Sequence, residues 1–169
     1  LLGFTVEQLD RRPGGTDQLA ELQQMELLMR VDGKGKPLPS DDPLRAKTPY
    51  PSPHDATAEL AARARAYLHV NCSHCHQNGA GGTAQIDLRF ANKLTDLKAI
   101  DLAPIQGTFG IANPRLLAPG DPFRSVLFYR MAKTGSGRMP HVGSEVVDRA
   151  AGAAPYAAWA GSGWKAAVL

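Results

Sequence analysis

Both cysteines of this 169-residue chain fall in "NCSHCHQNGAGG", residues 71–82, together with two of its five histidines. Cys72, His74, Cys75 and His76 place four soft or borderline metal ligands within five positions, a density that ordinary packing does not produce. Three chemistries use such residues. Zinc takes four tetrahedral ligands, commonly as two separated pairs; Cys72, Cys75 and His76 supply part of one set, and no second C-x-x-C or H-x-x-x-H occurs. A redox dithiol sits at a helix N-terminus after a strand, where the helix dipole lowers the thiol pKa; here the motif closes a helical pattern instead. The third chemistry is covalent haem. Thiols three positions apart each add to one porphyrin vinyl group, and the adjacent His76 reaches the iron.

An iron held on one side by His76 takes a further ligand from the methionines or histidines. Met25 and Met29 belong to an early helical pattern and are expected as core or staple residues. Met131 falls on the core side of a later helix. Met139 lies in the loop "GRMPH", residues 137–141, from which a thioether can be presented while Pro140 stiffens the backbone beside it. His141 is the rival and would make a bis-histidine iron. His54, His69 and His74 are expected as surface or satisfied helix histidines, His74 being enclosed by the two attachment points. Met139 is the expected sixth ligand, since His/Met pairing raises the potential and suits one-electron transfer.

These residues need elements to hold them. Thr16 is the expected N-cap of a short amphipathic helix carrying Leu19, Leu22, Met25 and Met29. Six prolines between residues 31 and 55 then predict an extended strap or linker. A second helix starting near Asp55 or Thr57 carries Leu60, Ala64, Tyr67, Leu68 and Asn71 on one face and delivers the cysteines at its C-terminal end. After the glycine-rich turn, "IDLRF" reads as a short extended piece and residues 94–102 as a short helix. Asp121 as N-cap, Pro122 at the first helical position and Gly135 as the stop predict a helix of three to four turns. An alanine-rich last helix follows the Met139 loop, with Pro155 starting or kinking it. The expected domains are 1–54, a helix plus Pro-rich strap, and 55–169, the haem-bearing part.

Composition bounds the function. With 43% hydrophobic and 21% charged residues the chain has a globular balance. Its net charge of +3 comes from scattered lysines and arginines, which speaks against a nucleic-acid surface. No apolar run approaches the roughly 20 residues that cross a bilayer. Opening on Leu1 predicts a mature product or an excised domain.

With "YLHVNCSHCHQ", "IDLRF", "RLLAPGDPFRSVLFYRM" and "RMPHVG" in place, the chain resembles class I mono-haem cytochrome c domains. The likeness extends to the C-terminal haem-c domains of larger secreted bacterial proteins, planctomycete-type and quinoprotein fusions. The resemblance covers residues 55–164 and implies an all-α cytochrome c fold, helices wrapped around one haem c attached through Cys72 and Cys75. His76 and Met139 are then the iron ligands. Tyr67, Leu68, Leu88, Phe90, Leu116, Leu117, Leu127, Phe128, Pro140 and Trp159 form the pocket, and Arg89, Arg115 or Arg124 neutralise the propionates. The implied role is electron transfer without an active site of its own, through the edge near Cys72 and Cys75. Donor and acceptor are then redox proteins or a fused catalytic domain, in the periplasm or another extracytoplasmic space. A peroxidase- or oxidase-like subunit and a gas-sensing haem domain are the alternatives. Both require an open or displaceable distal position.

Overall fold

The computed structural model describes residues 4–37, 44–142, 145–149 and 156. The chain divides into two compact units, Leu1–Tyr50 and Pro51–Leu169.

In the first unit Thr5 and Gln8 form a reciprocal capping box that starts α1, Val6–Leu9. Helix α2, Gln18–Gln24, begins at Asp17, whose carboxylate accepts from Ala20 N at 3.1 Å. The cap is therefore Asp17, one residue beyond the expected Thr16. The Ala20 N–H and the Arg45 guanidinium hold the Asp17 carboxyl below its usual range. Residues 44–46 of the strap are fastened by side chains from this pair of helices: Gln23 Oε1 accepts from Leu44 N at 2.7 Å and Asp10 Oδ2 from Ala46 N at 2.8 Å. Leu19 is the fully buried centre of the unit. Helix α2 ends at Gln24 because Glu26 takes φ +56°, a left-handed value that no α-helix continues through. Met25 and Met29 consequently lie outside the helix and are 63% and 58% exposed, where the sequence pattern places them in a core.

The second unit is built around α3, Leu60–Cys72. Glu59 caps it, its two carboxylate oxygens accepting from Ala61 N and Ala62 N, so the helix starts later than Asp55 or Thr57. Ala64, Leu68 and Cys72 repeat every four residues and point into a core completed by Ile86, Leu88, Leu97, Ala99, Leu117, Met131 and Tyr156. Leu117 is fully buried at its centre. Leu117→Ala is expected to cost about 2–5 kcal/mol through lost transfer energy and an unfilled cavity, read from denaturant unfolding of the full chain.

The expected cytochrome c fold, with helices wrapped around the cofactor, is not what this chain forms. Apart from helical Tyr156, α3 and α4, Val126–Met131, are the α-helices of the second unit among the described residues. In the whole described structure the closely packed pairs are α1 with α2 and α4 with the 3-10 turn before it. Positive φ at Lys98, Asp101, Phe109 and Asn113, and at Gly79, Gly107, Gly110 and Gly120, interrupts the chain repeatedly between α3 and α4 and keeps it from becoming helical there. The expected helix over 94–102 shrinks to a 3-10 turn, Leu94–Leu97. The long helix expected after Asp121 breaks in two. Ser125 adopts ψ 114° between the 3-10 turn Pro122–Arg124 and α4, because its buried hydroxyl accepts from Ala118 N at 2.8 Å. The alanine-rich last helix and Trp159 lie outside the described residues, Tyr156 excepted.

In place of crossing helices, main-chain steps join the loops. Leu88 N donates to His76 O at 2.9 Å, Asp87 N to Leu97 O at 2.9 Å and Leu117 N to Ala99 O at 3.0 Å. Leu127 N then donates to Leu116 O at 3.1 Å, which leads into α4.

Candidate functional site

The C-terminal turn of α3 and the residues after it carry the cysteine motif. Cys72, the last helical residue, is buried within the core, and burial pushes its thiol up to about 12, with Cys75 adding to the shift. Cys75 is exposed. Both thiols are free, so the pair is asymmetric: one sulfur faces the interior and the other faces solvent. His76 N donates back to Cys72 O at 2.9 Å, which turns the imidazole inward directly after the helix.

His76 is half-buried and its Nδ1 is a buried atom without a hydrogen-bond partner. Burial holds its pKa below the ordinary value. The nearby Ala84 backbone acts in the opposite sense from outside hydrogen-bond geometry, while the charges of Arg130, His74 and His141 deepen the depression. The result is a neutral imidazole near pH 7, the form that binds a metal. His74 also has a buried, unpartnered Nδ1, whereas His69 is engaged by the Ser73 hydroxyl at 2.9 Å.

Two glycines shape the turn that follows. Gly79, φ +79°, sits in the four-residue turn closed by Ala80 N donating to Gln77 O. Gly82 N donates to Cys75 O at 2.8 Å, so close that a Cβ on Gly82 would lie 2.5 Å from that oxygen and 2.8 Å from His76 Nδ1. The double glycine in the sequence marks a turn; that Gly82 rests against the imidazole becomes visible only in the fold.

The loop holding Met139 leaves α4 and turns at Gly135 and Gly137, both at positive φ, before a cis Met139–Pro140 peptide. Burial pushes the half-buried Tyr67 up to about 12; the charges of Asp148 and Cys72 add to this and that of Arg138 opposes it. The charge of His141 bears on His76. Arg138 and His141, flanking Met139 and Pro140, thus act electrostatically on Tyr67 and His76 respectively, more than sixty positions earlier in the sequence. Met139 and Pro140 are themselves half-buried.

The expected pocket residues spread unevenly. Leu68, Leu88 and Leu117 are core; Leu116, Leu127 and Phe128 pack against it, and Phe128 stacks on Tyr156 with ring centroids 6.0 Å apart. Phe90 lies under the Arg65 guanidinium, 5.4 Å from its ring centre. The three arginines expected at propionates are engaged elsewhere. Arg89 grips Asp87, whose carboxyl is held at about 2; Arg115 pairs with Asp101 at 3.0 Å; Arg124 donates twice to Asn113 O.

Arg130, which the sequence pattern does not single out, occupies the more informative position. It borders an open cleft of about 180 Å³ lined by Leu102, Ile105, Phe109, Leu116 and Val126, and no ion pair engages it among the described residues. Ala84 and Arg130 belong both to this cleft and to the surroundings of His76.

No group of three or more His, Cys, Asp or Glu side chains that could hold a bare metal ion occurs among the described residues. The donor set fits a tethered porphyrin better: two free thiols, an imidazole with a buried, orphaned ring nitrogen and a neighbouring apolar cleft that Arg130 borders. No helix among the described residues is long and apolar enough to cross a membrane. Comparison with known protein families, with curated proteins and with solved structures returns no match for this chain.

Proposed function

We propose that the chain is a one-electron carrier bearing one haem c, tethered through Cys72 and Cys75, with His76 and Met139 as iron ligands. The observation that supports this reading is the arrangement at the end of α3: two free thiols in C-x-x-C spacing beside an imidazole whose buried Nδ1 has no hydrogen-bond partner. When bound, such a haem supplies an iron that gains and loses one electron without exchanging ligands.

The chain's own residues do the rest. Cys72 and Cys75 fix position, so His76 need only orient and bind. Burial keeps the His76 imidazole neutral and ready to donate its lone pair. The Met139 thioether favours the reduced state, as does exclusion of water by Leu68, Leu116 and Leu117. Exposed Cys75 marks the edge where a redox partner protein approaches. Donor and acceptor are extracytoplasmic redox proteins or a catalytic domain fused to this one, because covalent haem attachment of this kind belongs to that side of the membrane.

The test is spectroscopic, on the full chain matured with haem. Ferric protein is expected to display the weak long-wavelength absorption band of methionine sulfur on iron, and the reduced protein to bind carbon monoxide slowly. Met139→Ala should abolish the band and open the iron to carbon monoxide. A wild-type chain without the band that binds carbon monoxide at once would instead be an enzyme subunit or gas sensor. Loss of the band in Met131→Ala or His141→Ala, with Met139→Ala unaffected, would displace Met139 from its role.

A further inference from the structure

We propose that Arg130 is the positioning residue for Met139, a two-point clamp by which α4 holds the 135–139 loop. This rests on the carrier reading above and assigns the part of the chain that keeps its sixth ligand in place.

Arg130 grips the loop twice, on either side of Arg138. Its carbonyl accepts from Met139 N at 3.0 Å, and its Nε donates to Gly137 O at 2.8 Å. The guanidinium is itself held against an aromatic face, 5.3 Å from the centre of the Phe109 ring. Phe109 packs on Tyr129 of α4 with ring centroids 5.4 Å apart. Gly137 completes the fit: at φ +79° it is a position that favours glycine, and a Cβ there would meet Phe109 Cε1 at 3.0 Å. The loop therefore runs against the same ring on which the arginine lies.

Two flanking contacts keep the loop from swinging about this clamp. Lys133 Nζ donates to Ser136 O on one side, and buried Arg138 donates from Nη2 to Val146 O at 2.5 Å on the other. Arg130 is suited to the task as lysine is not. A planar guanidinium can stack on an aromatic face while directing Nε–H at a carbonyl, whereas an ammonium is a point charge on a flexible stem. Burial of a cation with no carboxylate partner among the described residues is unfavourable on stability grounds alone.

The experiment uses the haem-loaded full chain and the variants Arg130→Lys and Arg130→Gln, with Arg124→Gln as a control that also loses hydrogen bonds to a main-chain carbonyl, that of Asn113. The readouts are the long-wavelength methionine band, the imidazole concentration that displaces Met139, and amide hydrogen exchange over residues 135–139 in the haem-free chain. Both Arg130 variants are expected to exchange faster in the loop and to take up imidazole at about tenfold lower concentration, the size of one lost hydrogen bond. Arg124→Gln should match wild type. Unchanged imidazole displacement and loop exchange in both variants would overturn the clamp and leave the carrier reading intact. A wild-type chain lacking the band would overturn the carrier reading, and with it the ligand that the clamp is there to place; hydrogen exchange would still register whether the loop is held.

Discussion

A chain in which Cys72 and Cys75 are both serine is expected to release all of its haem into acidified organic solvent, while the wild-type chain keeps the haem through denaturation with a mass increase of one haem. The single variants should differ, because the two sulfurs sit in different places. Cys75 is exposed, so Cys75→Ser leaves one thioether and a nearly unchanged fold. Cys72 belongs to the core beside Leu68 and Leu117, and a serine hydroxyl there costs about 1–3 kcal/mol unless it finds a partner. Haem staining after denaturing electrophoresis reads the first effect and a denaturation midpoint the second. Covalent haem surviving in the double variant would refute the attachment assignment.

The second large effect is expected from the smallest change. Gly82→Ala would bring a methyl group to 2.5 Å from Cys75 O and 2.8 Å from His76 Nδ1. The carbonyl is backbone and cannot swing aside without breaking the Gly82 N to Cys75 O bond, so the imidazole or the turn must move. Overpacking of this kind costs about 1–3 kcal/mol, and here the strain falls on the imidazole proposed to bind iron. Gly81→Ala is the matched control, since a methyl group there would find nothing within 4 Å and its φ is not in the left-handed region. Unfolding midpoints and haem spectra of the pair should separate, with Gly81→Ala within about 0.5 kcal/mol of wild type. Equal behaviour of the two would remove Gly82 from the site.

The sequence carries the chemistry of the site more legibly than its architecture. Cys72, Cys75 and His76 are close neighbours in the chain, and Met139 sits in a loop bounded by Gly137 and Pro140; spacing alone distinguishes them. Ala64, Leu68 and Cys72 follow helical periodicity and do line the core. The long helix expected after Asp121 fails because a tertiary contact wins over local signals. Ser125 is drawn out of helical geometry by Ala118, and no propensity records that. Left-handed Lys98 and Phe109 carry side chains that do not advertise such backbone, so one dimension hides part of the loss of regular structure between α3 and α4. Arg130 looks like any helix-surface arginine in the same view. Its role depends on Phe109 and Gly137 arriving from two other segments.

The main-chain steps from His76 to Leu88, Asp87 to Leu97, Ala99 to Leu117 and Leu116 to Leu127 run on through α4 to Met139. The first two are single bonds, whereas the later two are short ladders: Asp101 N to Leu117 O and Leu116 N to Leu102 O reinforce the third, and Arg115 N to Arg124 O and Val126 N to Arg115 O reinforce the fourth. Such a series is unevenly strong: opening at Leu88 breaks the one main-chain bond there, while opening at Leu127 leaves two others across the same joint. In the language of cooperative opening, the segment after His76 is the one expected to open first, and the ladders leading into α4 the last.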